Sequence, residues 1–163
     1  MKFRILLLAT ALIIVGASGV AQAQIQGFAI GPKLGFYLDG GKFFIGATGV
    51  YTITPDIDFE PGVEYVLGID HVTRVVLDAN ARYNFTLRGI TVRPFILGGV
   101  ALVMDRSSFA SGSDTRFTGR LNIGGGAVFN SRSLVQYWGG MKIYLLSEED
   151  SDVALQAGVV FFL

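Results

Sequence analysis

Apolar and polar positions alternate along most of the chain, most plainly in its last eleven residues, 153–163. Val153, Leu155, Ala157, Val159, Phe161 and Leu163 fall on one face, and Ala154, Gln156, Gly158, Val160 and Phe162 on the other. A period of two is the signature of a β-strand. An apolar terminal strand left as a free edge would recruit other chains, so the pattern calls for a sheet that closes on itself. Seven more segments share the period. The first, 26–38, sets Phe28, Ile30, Pro32, Leu34, Phe36 and Leu38 against Gly27, Ala29, Gly31, Lys33, Gly35 and Tyr37. Asp39, Gly40 and Gly41 reverse the chain into a second strand, 42–54, which Pro55 and Asp56 end.

The third segment, 57–67, places Phe59, Val63, Tyr65 and Leu67 opposite Asp58, Glu60, Gly62 and Glu64. Its Pro61 lacks a ladder donor, so a bulge or local distortion is expected there. After a short turn, 68–71, the fourth strand, 72–85, has the clearest two faces: Val75, Leu77, Ala79, Ala81, Tyr83 and Phe85 against Arg74, Val76, Asp78, Asn80, Arg82 and Asn84. A brief turn, 86–89, precedes a fifth strand, 90–104, which is apolar on both faces over 95–103, so its inner face is not assigned by pattern. The polar stretch 105–114, DRSSFASGSD, reads as the longest connection. The sixth strand, 115–129, sets Phe117, Leu121, Ile123, Ala127 and Phe129 against Arg116, Thr118, Arg120 and Asn122. After a turn at 130–133 the seventh runs to Leu146, and an acidic loop, 147–152, leads to the eighth. Connections after the second, fourth and sixth strands read as brief, and those after the fifth and seventh as longer and more polar.

Composition explains which solvent such a sheet suits. The 163 residues are 51% hydrophobic and only 16% charged, with 22 glycines and a mean hydropathy of +0.51. Past the N-terminus, however, no apolar run reaches the ~20 residues of a helical span. Apolar on average but nowhere continuously so is the composition of transmembrane strands. At the N-terminus, Lys2 and Arg4 precede an apolar core from Ile5 to Val15 and the small-residue pattern Ala21, Gln22, Ala23, which together read as a cleavable signal peptide over 1–23. The remaining residues, 24–163, form one domain, slightly acidic once Lys2 and Arg4 are gone, with nothing that suggests a nucleic-acid partner. Zero cysteines exclude disulfides, thiolate catalysis and a lipidated N-terminal cysteine.

A soluble ligand-binding barrel also alternates, with its apolar face inward. Lys33, Glu60, Glu64, Arg74, Asp78, Arg82, Arg93, Arg120 and Lys142 lie within strand bodies on the polar face, which suits either arrangement. The aromatic residues favour lipid outside. Phe28, Tyr51, Phe59, Tyr83, Phe129, Tyr137 and Phe161 mark one boundary from seven strands, and Phe36, Phe43, Tyr65 and Phe117 the other; two girdles around an apolar band are expected of a transmembrane barrel. Glycines inside strands, among them Gly98, Gly99, Gly124, Gly125, Gly126, Gly139 and Gly140, leave room for the long charged side chains of a narrow lumen.

With its leader, eight alternating segments, the stretches RPFILGGVAL and LNIGGGAVF and the ending VVFFL, the chain resembles the small bacterial outer-membrane β-barrel family of the outer membrane protein A transmembrane domain and the OmpX-type proteins. The resemblance covers 24–163. Family members usually end in Phe or Trp, whereas this chain ends in Leu163 after Phe161 and Phe162. It implies an all-β, eight-stranded antiparallel up-and-down barrel in the cell outer membrane, a monomer in contact with lipid and lipopolysaccharide, recognised by the barrel-insertion machinery through its C-terminal strand.

The expected role is structural or surface-interacting, with the charged inward set filling the lumen as a paired network of surplus positive charge. In it Glu64 is expected opposite Arg74. The alternatives are a narrow anion-preferring pore, a lipid-modifying outer-membrane enzyme and a soluble lipocalin-like barrel. No cofactor, metal or catalytic residue is expected. Lipid A deacylases of similar size use a His-x-Ser pattern, but the lone His71 is followed by Val72 and Thr73. The run Glu148, Glu149, Asp150 and Asp152 lacks the ligand spacing of a cation site and reads as a solvated loop.

Overall fold

In the computed structural model the two-residue period becomes a single closed sheet in which every strand pairs antiparallel with its sequence neighbours and the last pairs with the first. The structure describes residues 27–69, 72–87, 89–109, 112–130, 132–145 and 152–163; the leader, Asp70, His71 and most of the acidic loop lie outside these. The strands are β1 (Phe28–Tyr37), β2 (Lys42–Thr54), β3 (Ile57–Val66), β4 (Val72–Asn84), β5 (Arg93–Phe109), β6 (Gly112–Phe129), β7 (Val135–Leu145) and β8 (Asp152–Phe162). Asp39–Gly41 forms a 3-10 turn between β1 and β2, where Gly40 and Gly41 adopt φ of 70° and 61°, a left-handed conformation that costs glycine little. The edge that β8 would otherwise expose is covered by β1, with Phe36 opposite Leu155 and Ile30 opposite Phe161.

Alternation places aliphatic side chains from every strand on the outside. Leu34, Leu77, Val100 and Ile123 are 63, 51, 54 and 50% exposed, and Val63, Leu77 and Leu102 form a direct cross-strand row. Inside, the side chains stack in three layers. Near the end where β1 begins and β8 finishes, here the termini end, Val50, Phe95, Leu97, Val128, Trp138 and Val160 pack together. At the opposite end, the hairpin end, Tyr37, Phe44, Val66, Val76, Val103 and Tyr144 form a second apolar layer. Buried polar side chains fill the space between. The fifth strand is apolar on both faces because Phe95, Leu97, Ala101 and Val103 enter these inner layers while Ile96, Val100 and Leu102 face out.

Three expectations about connections fail. The polar stretch 105–114 is mostly strand: β5 and β6 stay paired from Asp105 opposite Arg116 to Phe109 opposite Gly112, leaving only residues 110 and 111 between them. Beyond the apolar band polar residues are acceptable on both faces, so composition resembles a loop although the ladder continues. The link between β4 and β5 is conversely longer than expected, because β5 starts at Arg93 rather than Ile90. The lengths of the connections therefore do not alternate as the sequence suggests. At Pro61 the β2–β3 register is unbroken, but the pairing skips from Thr48 opposite Gly62 to Tyr51 opposite Phe59; the register shift itself lies between Thr52 and Thr54. Pro32 leaves a similar gap against β8, between Ile30 opposite Phe161 and Lys33 opposite Gly158. A proline without its N–H leaves a ladder position unmade without displacing the strands.

Close packing of β6 on β7 depends on glycine. A Cβ on Gly126 would lie 2.2 Å from the Gly139 carbonyl oxygen and 2.9 Å from the Phe95 ring. Gly124, Gly126 and Gly140 thus let the two backbones approach while a large ring occupies the lumen beside them.

Candidate functional site

Inward positions on four strands meet at the centre of the lumen. Lys33 of β1 donates through Nζ to Glu64 Oε1 of β3 at 2.8 Å and to Asp78 Oδ2 of β4 at 3.1 Å. Lys142 of β7 reaches Asp78 Oδ1 at 3.3 Å and lies 3.8 Å from Glu64 Oε1. Two ammonium groups and two carboxylates thus form a closed square whose side chains are 0 to 1% exposed. Tyr37 donates its hydroxyl to Glu64 Oε2 at 2.5 Å, and Asn80 donates to Asp78 Oδ1 at 2.7 Å. Each charge has an opposite partner, the condition under which buried ions are tolerated. The square ties β4 to β7 and β1 to β3, so it braces the barrel across its interior.

A second group lies toward the termini end. Arg82 bridges Asp58 Oδ2 at 2.8 Å and Glu60 Oε2 at 2.9 Å, Asn84 donates to the same Asp58 oxygen at 2.7 Å, and the guanidinium sits 5.2 Å from the centre of the Phe95 ring. Among the described residues, fully buried polar atoms without a partner include Glu60 Oε1, Asn80 Oδ1, both amide atoms of Asn122 and Gln156 Oε1. Buried water is the usual partner for such atoms.

The remaining charged positions stand at the mouths. Arg74 grips Asp105 with Nε at 2.7 Å and Nη2 at 2.9 Å; it does not meet Glu64, because the register sets Arg74 opposite Val66 and Glu64 opposite Val76. Arg93, at the termini end, donates to the Pro55 carbonyl and lies 3.6 Å from Asp56. Arg120 has a buried Nε without a partner among the described residues. The nine charged positions chosen from the sequence therefore divide between two central clusters and two rims. The surplus of positive charge does not hold at the centre, where Lys33, Arg82 and Lys142 face Asp58, Glu60, Glu64 and Asp78. Asp58 shares the parity of Glu60 and was legible from pattern, whereas Asp105 was hidden by the reading of its segment as a loop.

Outside, Phe28, Tyr51 and Phe59 form a direct cross-strand row over β1, β2 and β3. Phe129 opposes Tyr137 on β6 and β7, Phe161 opposes Val135, and Tyr83 packs edge-on against Phe85 with centroids 5.1 Å apart. All lie toward the termini end. At the hairpin end the Phe36 and Phe43 rings are 4.8 Å apart, and Tyr65 and Phe117 are exposed.

An apolar exterior, aromatic residues toward both ends and a charged interior define the class: an eight-stranded up-and-down barrel turned inside out relative to a soluble one. Neither a protein-family model nor a curated protein sequence matches the chain. Solved structures do. The N-terminal β-barrel domain of Pseudomonas aeruginosa OprF matches with a TM-score of 0.67 at 18% identity, over 85% of this chain and 100% of that one. Neisserial surface protein A matches at 0.70 and 15%, over 82% and 96%. Ail, the attachment invasion locus protein of Yersinia pestis, matches at 0.59 and 15%, over 85% and 97%. At these identities the likeness is one of fold.

Proposed function

We propose that the protein is an integral outer-membrane barrel, exported by the leader 1–23, that serves a structural or surface-interacting role with its lumen closed by side chains. The observation that carries this reading is the inversion of polarity. Ile30, Leu34, Ile45, Leu77, Val100 and Ile123 are exposed while Lys33, Glu64, Asp78 and Lys142 are buried. In water that arrangement would leave an apolar belt around the whole molecule, far beyond the patches soluble monomers expose; in a bilayer it is the arrangement of transmembrane barrels. The shared fold with Neisserial surface protein A and with the Yersinia pestis outer membrane protein Ail supports the same location.

The barrel acts as a monomer in contact with lipid and lipopolysaccharide, and β8 addresses the insertion machinery. The role is non-catalytic: lipid A from cells overexpressing the protein keeps all its acyl chains, and loss of one would contradict this. The square of Lys33, Glu64, Asp78 and Lys142, with apolar layers above and below it, supports a closed lumen over an anion path, since eight strands enclose only enough space for side chains. Reconstitution into planar bilayers tests it: the purified barrel gives no discrete openings, and reproducible anion-selective steps would replace the plug with a narrow pore.

A further inference from the structure

Above the hairpin-end apolar layer a cavity of about 180 Å³ opens at the rim, lined among others by Tyr37, Asp39, Lys42, Arg74, Arg120 and Asp152. Arg74 is already committed to Asp105 by two hydrogen bonds, and the Tyr37 hydroxyl to Glu64. The other four charges, Lys42 and Arg120 against Asp39 and Asp152, form no ion pair among the described residues. Two of their polar atoms, Arg120 Nε and Asp152 Oδ1, are buried and have no hydrogen-bond partner among the described residues. They come from β6 and β8, with β7 between them, so the strand framework holds opposite charges apart around open space. A buried polar atom without a partner is costly, and a group that enters the cavity with the complementary charge offsets that cost.

We infer that this rim cavity is a binding site for a small zwitterion, a ligand whose anionic group pairs with Arg120 and Lys42 and whose cationic group pairs with Asp152 and Asp39. A simple anion would meet the two free carboxylates, and a simple cation the two free basic groups, whereas a ligand of both signs satisfies all four. The ring of Tyr37 supplies a wall, and its hydroxyl connects the floor of the site to the central square through Glu64.

The test is an NMR titration of the full-length barrel, refolded in detergent micelles, with free alanine, acetate, ethylammonium and glycerophosphoethanolamine. Alanine should give saturable shifts at the amides of Gly41, Lys42, Arg120 and Asp152, with acetate and ethylammonium about tenfold weaker, the order of a lost charged hydrogen bond. Preference for glycerophosphoethanolamine over alanine would also support the site and would assign it to a zwitterionic lipid headgroup. Arg120→Gln and Asp152→Asn should each weaken binding about tenfold, and so should Lys42→Gln, at the first residue of β2, a variant less tied to folding. Arg93→Gln, at the other mouth, should bind like the parent. Absence of saturable shifts at millimolar concentrations, or equal binding of acetate and alanine, would overturn the inference.

Discussion

Asp78 on β4 and Lys142 on β7 are 64 residues apart in sequence and have two strands between them by the shorter way round the barrel, yet their side chains meet at 3.3 Å through the lumen. Because Asp78 also holds Lys33, each substitution in the square leaves an uncompensated buried charge, a loss of about 3 to 5 kcal/mol. Asp78→Asn and Lys142→Met should each lower stability by that order in urea titrations of the micelle-bound barrel. The double variant should lose less than the sum of the two, since partners in one network couple. Additive losses would show that the square does not act as a unit.

Gly126→Ala should be strongly destabilising. The new methyl would overlap the Gly139 carbonyl and press on Phe95, and overpacking of this kind costs about 1 to 3 kcal/mol. Gly119 provides the contrast, with nothing within 4 Å of a Cβ built there; Gly119→Ala should leave the melting temperature unchanged or slightly raised. The fraction of heat-shifted band against temperature measures both.

The β5–β6 hairpin end should be a folded extension held by Arg74. Asp105→Asn removes a bidentate, partly exposed pair, so the global cost should be modest, about 1 kcal/mol. Amide exchange at residues 105–109 and 112–116 should accelerate in the variant, while exchange in the barrel centre stays slow. Fast exchange at these positions in the parent protein would argue that the segment is a loop after all.

How far sequence pattern reached depends on which solvent each segment meets. Strands β1, β3, β4 and β8 were legible because one face is apolar and the other carries Lys33, Glu64, Asp78 or Gln156, so parity alone separates inside from outside. On β5 the signal vanishes because Phe95 and Leu97 fill an inner apolar layer while Ile96 and Val100 face outward, and only the closed register resolves them. At 105–114 the chain has left the apolar band, so polarity no longer distinguishes strand from loop. Pairing in the lumen was the least accessible level: parity places Glu64 and Arg74 on the same face, but register and reach send Glu64 to Lys33 and Arg74 to Asp105. Long side chains crossing a barrel choose partners by three-dimensional distance, which sequence spacing does not encode.

The outward face gives a sharper contrast. Leu77 sits in the aliphatic row between Val63 and Leu102, so Leu77→Arg should cost about 2 to 4 kcal/mol in a bilayer. A barrel whose exterior meets water would tolerate the same change with little loss, and folding yields in liposomes compared with the parent distinguish the two.

The most direct test of an inside-out barrel is fractionation of cells expressing the full chain, with each fraction run on a gel with and without boiling. The protein should sediment with the outer membrane, and the unboiled band should migrate differently from the boiled one. A protein recovered entirely from the soluble periplasm, with migration unaffected by heat, would contradict it.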